Sequence, residues 1–207
     1  MPTKLWFAPL VALALAALAC NSGLPAGTVL FKDDFSDDSG GWQYTSYSTF
    51  EGGRMQVKND EKGTLVRTVI DEPGLADVHL EVSAQNTGSA SDVVFGLVCD
   101  FSISNDQASY YFLGIGTDGY YMVGKYIDGN LTTLTEDTNG SFTDETATYR
   151  LAADCSNGVQ TLYVDGQQVA STADAALSNG DVGLFVGTDK QADAAATFDN
   201  FLATQLK

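Results

Sequence analysis

The chain has little of what most enzymes and metal proteins depend on. Its 207 residues hold one histidine, His79, and three cysteines, Cys20, Cys99 and Cys155. Two cysteines and one histidine, once Cys20 is set aside for the reason given below, fall short of a tetrahedral zinc set. A Ser-His-Asp triad would have to use His79, which sits inside an apolar run with no nucleophile motif around it. Basic residues are scarce: ten Lys and Arg stand against 27 Asp and Glu, a net charge of −17. Such a surface repels phosphate backbones and anionic lipid heads, which excludes nucleic-acid binding and a basic membrane patch. It also disfavours uronic or sulfated polysaccharides unless calcium bridges them, and its ordinary role is to keep an exported protein soluble. The glycines are scattered in turns, so there is no phosphate-binding loop, and no EF-hand spacing occurs. No organic cofactor is implied. No segment after Cys20 is apolar enough to span a membrane as a helix.

What is present begins at the N-terminus. Lys4 is followed by an apolar run, Leu5 to Ala19, ending Ala17-Leu18-Ala19-Cys20. The run is shorter than the roughly 20 residues of a bilayer-crossing helix and fits the apolar core of a signal peptide. Small residues before a cysteine at that point resemble the lipobox of bacterial lipoproteins. The resemblance implies a signal peptide over 1–19, a Cys20 that is diacylated after cleavage, and an extracytoplasmic protein held at the envelope by lipid alone. Acyl chains contribute about 0.8 kcal/mol per buried CH2, so two or three hold firmly. Residues 20–27, Cys-Asn-Ser-Gly-Leu-Pro-Ala-Gly, read as the lipidated cysteine and a short flexible tether. Cys99 and Cys155 then remain as an even pair in an oxidising compartment. A disulfide is the natural reading, with two buried free thiols as the alternative.

From Thr28 to Lys207 nearly every segment reads as strand. Short runs rich in Val, Tyr, Phe and Thr are bounded by turn residues: 54–57, 64–70, 78–84, 93–99, 110–115, 120–126, 149–153, 161–164, 182–186 and 196–202. Asp118-Gly119, Asp128-Gly129 and Asp165-Gly166 suit two-residue type I′ hairpins, where both central residues take positive φ. They predict that 110–115 pairs with 120–126, that 120–126 pairs with 131–135, and that 161–164 pairs with 168–171. One helical turn is expected around Asp174 to Leu177. Strands at this spacing form one antiparallel sandwich or barrel domain over 28–207.

Several motifs occur in order: Asp33-Asp34-Phe35-Ser36-Asp37 with Gly41-Trp42, Glu51-Gly52-Gly53-Arg54-Met55-Gln56-Val57, Phe95-Gly96-Leu97-Val98-Cys99, Tyr110-Tyr111-Phe112, Leu162-Tyr163-Val164-Asp165-Gly166, Gly180-Asp181-Val182-Gly183-Leu184 and Phe198-Asp199-Asn200-Phe201. This order resembles the concanavalin A-like lectin/glucanase superfamily, and within it the laminin-G-like and keto-glycoside-hydrolase-like domains. The resemblance covers about residues 28–207. It implies an all-β jelly-roll sandwich of two curved antiparallel sheets, the concave one open to ligand. It also implies a structural calcium held by Asp34, the Gly52 carbonyl and Asp199. Trp42 is expected in the core.

Alternation along strand 93–99 sends Phe95, Leu97 and Cys99 inward and Gly96, Val98 and Asp100 to the cleft. Many members of the superfamily carry Arg where this chain has Asp100. Tyr110, Phe112 and Tyr126 are the aromatic candidates for the concave sheet, so the expected ligand-binding set is Asp100, Tyr110, Phe112 and Tyr126. The laminarinase-type enzymes carry Glu-x-Asp-x-(x-)Glu on one strand. No such string exists here, so no catalytic residue is assigned. The leading expectation is a monomeric, lipid-anchored, non-catalytic module for a neutral carbohydrate or an envelope protein partner. The alternatives are a keto-glycoside-hydrolase-like enzyme and a structural or adhesion protein of the envelope.

Overall fold

A computed structural model of the chain describes residues 24–38, 40–70, 75–116 and 118–206. The expected signal peptide and Cys20 lie outside the described residues. Fourteen strands occur among the described residues: β1 (Val29–Asp33), β2 (Ser48–Glu51), β3 (Arg54–Asn59), β4 (Thr64–Val69), β5 (Val78–Asn86), β6 (Val94–Ser104), β7 (Gln107–Ile115), β8 (Tyr120–Ile127), β9 (Asn130–Thr138), β10 (Thr148–Ser156), β11 (Val159–Val164), β12 (Gln167–Ala173), β13 (Asp181–Thr188) and β14 (Ala194–Gln205). All pairings are antiparallel. One sheet has the order β12-β11-β10-β5-β14-β3-β2, with β1 also on β14; the other has the order β4-β13-β6-β7-β8-β9. The all-β sandwich anticipated from the sequence is the fold observed. No helix long and apolar enough to cross a membrane occurs among the described residues.

Turn chemistry explains why these strands pair in register. Five two-residue hairpins have both central residues at positive φ: Gly52-Gly53, Asn105-Asp106, Asp128-Gly129, Asn157-Gly158 and Asp165-Gly166. The loop at Asp118-Gly119 is wider than the two residues expected. Gly116 N–H donates to the Tyr120 carbonyl (2.7 Å) and Asp118 Oδ1 accepts Tyr120 N–H (3.0 Å). The predicted helical turn at 174–177 is absent: no residue there is helical. Asp174 is instead tied down by Lys125 Nζ (2.6 Å) and by the Tyr111 hydroxyl (2.6 Å), which holds the segment open against the sheet.

The two sheets enclose one apolar core. Alternate residues of β5 (Val78, Leu80, Val82, Ala84) and β10 (Tyr149, Leu151, Ala153, Cys155) meet Phe95, Leu97 and Cys99 of β6 and Tyr111, Leu113 and Ile115 of β7. Trp42 is buried there, its indole N–H donating to Asp33 Oδ2 (2.8 Å) and its ring edge-on to Phe201 at 5.1 Å. Near the start of the described residues, Gly27 N–H donates to the Gln205 carbonyl (2.7 Å), so residues 27–33 are laid onto β14.

Cys99 of β6 and Cys155 of β10 are joined as a disulfide across the core, one sulfur from each sheet, at a sequence separation of 56. Closing a loop of that length contributes roughly 4 kcal/mol in the chain-entropy picture. Replacing both cysteines by alanine is therefore expected to lower the unfolding free energy by about that amount in denaturant titrations. A midpoint unmoved by the double substitution would mean that the bridge adds nothing to the folded state.

Candidate functional site

The outward face of the six-stranded sheet is not a solvated surface. Between the core residues of each strand stand Val98 and Phe101 of β6, Tyr110 and Phe112 of β7, Phe185 of β13 and Val69 of β4, all buried in a second apolar cluster. These rings lie low because their neighbours have no side chain. A Cβ on Gly114 would stand 2.6 Å from the Phe185 ring, and one on Gly124 would stand 2.3 Å from the Phe112 ring. The face is thereby hollowed into a groove of about 1200 Å³, to which all six strands contribute. Phe112, Phe185 and Met122 lie along its floor, and Tyr126 stacks on Tyr110 at 5.3 Å between ring centres. Tyr47, Leu131 and Ile103 also line it, with 39%, 51% and 61% of their surfaces exposed. Exposed apolar groups at a groove mouth, over an apolar floor, are what a ligand covers.

Polar groups are gathered at one end. Glu61, Asp92, Asp118, Glu136 and Asp189 line the groove, with Lys190. Asp92 accepts from the Thr188 hydroxyl (2.8 Å) and Lys190 N–H (2.6 Å). Against the burial that raises it, those bonds hold its carboxyl below the ordinary range. The Tyr120 hydroxyl donates to Glu136, and burial together with that carboxylate and Asp118 pushes the phenol well above its usual value. Burial likewise pushes Tyr110 up to about 12, opposed by the positive charge of Arg67.

The sequence-derived set divides. Phe112 and Tyr126 line the groove, and Tyr110 lies just beneath it, covered by Tyr126 and by Arg67, whose guanidinium carbon is 4.8 Å from its ring centre. Asp100 is not among the groove-lining residues. A β-bulge between Cys99 and Ser102 sets Asp100 and Phe101 together opposite Tyr110, with Asp100 at φ 53°. The extra residue breaks the alternation, so Phe101 takes the outward place expected for Asp100. Asp100 turns toward the end of the sandwich, where burial, outweighing the N–H of Asn179 and helped by the charge of Asp77, pushes its carboxyl up to about 6. Arg67, by contrast, was missed. The signal was available: Val66 and Ile70 are core residues, so the residue between them in alternation with Leu65 and Val69 faces outward.

The elements named for calcium come together at one corner. The Phe35 carbonyl, next to Asp34, lies 3.9 Å from where a Cβ would stand on Gly53, beside Gly52, and Asp199 follows Phe198, the partner of Met55. The donors are otherwise engaged, however. Asp199 faces the Arg54 guanidinium (3.8 Å), and Asp34 Oδ1 accepts Ser36 N–H (3.1 Å). Among the described residues no group of three or more His, Cys, Asp or Glu is arranged to hold a metal. Calcium takes six to eight oxygens, and this donor set fits it poorly. Chelation by EDTA is expected to leave the melting curve unmoved; a clear downward shift would put an ion at this corner.

His79 lies on the opposite side of the molecule, on the outward face of β5. Its Nδ1 is 2.5 Å from Asp154 Oδ1 and its Nε2 3.0 Å from Glu81 Oε1; Glu81 in turn accepts from Arg150, and Asp154 from the Tyr163 hydroxyl (2.8 Å). The bond to Asp154 raises the imidazole pKa, with Glu81 adding to it against burial. Glu81 and Asp154, despite burial, are held below their usual values by these cations and hydrogen bonds. A raised histidine stabilises the fold fully below about pH 6.5, and that contribution is lost as pH rises through the folded value. The depressed carboxylates contribute above about pH 4 and lose it in acid. Unfolding free energy is thus expected to fall as pH rises above about 6.5, and His79→Asn to flatten that fall. An unchanged slope in the variant would show that the histidine is not its source.

No protein-family model matches the chain, and no curated protein matches it in sequence. Solved structures do match. A Bacillus subtilis carbohydrate-binding module, CBM66, superposes with a TM-score of 0.65 at 17% identity, covering 79% of this chain and 95% of the module. A Bacillus subtilis protein of unknown function with a galectin-like fold gives 0.69 at 10% identity, covering 87% and 97%. A Bacillus licheniformis beta-glucanase gives 0.61 at 13% identity, covering 87% and 99%. The fold is an antiparallel jelly-roll sandwich that the chain shares with these structures. At these identities the likeness speaks for architecture, and that architecture serves both a carbohydrate-binding module and a glycoside hydrolase among these structures.

Proposed function

We propose that the protein is a carbohydrate-binding module whose site is the groove on the six-stranded sheet. The observation that carries this reading is Tyr126, partly exposed and stacked on the buried Tyr110 beside the buried Phe112 and Phe185, in a groove bordered by Tyr47, Thr133 and Glu136. Sugars present apolar C–H faces and amphoteric hydroxyls, and such a surface meets both. The acidic lining favours a neutral glycan over polyanions. The name of the CBM66 module supports the reading by analogy of fold. A non-catalytic role is preferred because Asp92 and Glu136 are committed to neighbours and the sequence lacks a catalytic carboxylate string.

The signal-like N-terminus with Cys20 supports lipid anchorage outside the cytoplasm, where the Cys99–Cys155 bridge is at home. Binding of residues 28–207 to an array of neutral oligosaccharides tests the site. Tyr126→Ala is expected to weaken binding about tenfold, ~1.4 kcal/mol, with the fold intact by circular dichroism. A blank array would remove the carbohydrate reading, and release of reducing sugar from a bound glycan would replace the module with an enzyme.

A further inference from the structure

Arg67 is out of keeping with its surroundings. Acidic residues outnumber basic ones 27 to 10, yet among the described residues no carboxylate pairs with it. Its guanidinium carbon lies 4.9 Å from the centre of the Phe101 ring and 4.8 Å from that of Tyr110, and it lines the groove. Resting on two rings fixes the group in place through the ring quadrupoles while using few of its five N–H donors. Tyr110 also carries the stacked Tyr126. One ring therefore sets the relative position of a donor fork and of an aromatic face.

We propose that Arg67 is the specificity-determining residue of the groove, donating two parallel N–H groups to adjacent hydroxyl oxygens of a neutral sugar. This rests on the groove being the glycan site. A guanidinium fork matches any pair of neighbouring acceptor oxygens, in a carboxylate or in a vicinal diol. The rest of the lining decides between them. Five carboxylates, Glu61, Asp92, Asp118, Glu136 and Asp189, face the groove against one further cation, Lys190. A ligand carboxylate is repelled by that field, whereas a diol accepts from Arg67 and donates its own protons to acceptors of the lining.

The test uses the full extracytoplasmic chain, an array of neutral oligosaccharides paired with their uronic acid counterparts, and titration calorimetry with the best binder at low and high salt. The variants are Arg67→Lys, Arg67→Ala and Tyr126→Ala. Arg67→Lys keeps the charge and loses the fork, so it is expected to bind at least about tenfold more weakly, and Arg67→Ala more weakly still. Neutral oligosaccharides are expected to be preferred, with affinity insensitive to salt. Wild-type affinity in both Arg67 variants, with binding lost in Tyr126→Ala, would leave the groove as the site and overturn the role of Arg67. Preference for uronates with salt-sensitive affinity would overturn the diol. No glycan bound by the wild-type chain would overturn the site and the proposal together.

Discussion

The structure turns on one demand: the six-stranded sheet must be apolar on both faces along its middle strands, β13, β6 and β7. Its inward residues close the core against β5, β10 and β14, and its outward residues build a second buried cluster in the groove. A strand in that position cannot alternate apolar with polar. It alternates large with absent, as in Leu113-Gly114-Ile115, where Gly114 makes room for the Phe185 ring. The depth of the groove comes from that substitution of glycine for side chain. An alanine at 114 or 124 would fill the groove floor from below rather than alter its rim.

The eight-stranded sheet is under the opposite rule. Its outward face carries His79, Glu81, Arg150 and Asp154 in a hydrogen-bonded network, and its inward face alone is apolar. The molecule thus has one face whose polar groups satisfy one another and one whose groove exposes apolar groups, Tyr47, Ile103 and Leu131, above a buried apolar layer. The proposed ligand binding is assigned to the second, because covering exposed apolar surface is favourable while displacing an internally satisfied network is not. The disulfide ties these two unlike sheets together, from beside the bulge on β6 to the end of β10.

Much of this was legible in the sequence because its signals are local. Period-two alternation and the Asp-Gly pairs placed the strands from β3 onward, and Cys99 and Cys155 could be paired by elimination of Cys20. Strands β1 and β2 were missed because Val29–Asp33 and Ser48–Glu51 are short and only partly buried, gaining their conformation from β14 and β3. Asp100 was misplaced because a bulge depends on the partner strand: nothing within Cys99-Asp100-Phe101 announces that two residues will share one place opposite Tyr110. Arg67 was passed over for a different reason. Its meaning lies in rings from β6 and β7 that only the folded sheet brings beneath it.

The seating of β1 bears on how the domain carries load. Gly27 and Thr28 exchange backbone hydrogen bonds with Gln205, and Val29–Asp33 runs antiparallel to the end of β14. A pull on the chain ahead of Gly27, directed along β1, strains the β1–β14 hydrogen bonds side by side and in shear. The remaining strands feel tension only through β14, which is itself clamped between β5 on one edge and β3 on the other. Such a pull would therefore load this short ladder first, and its rupture would free residues 27–33 before it opened the core.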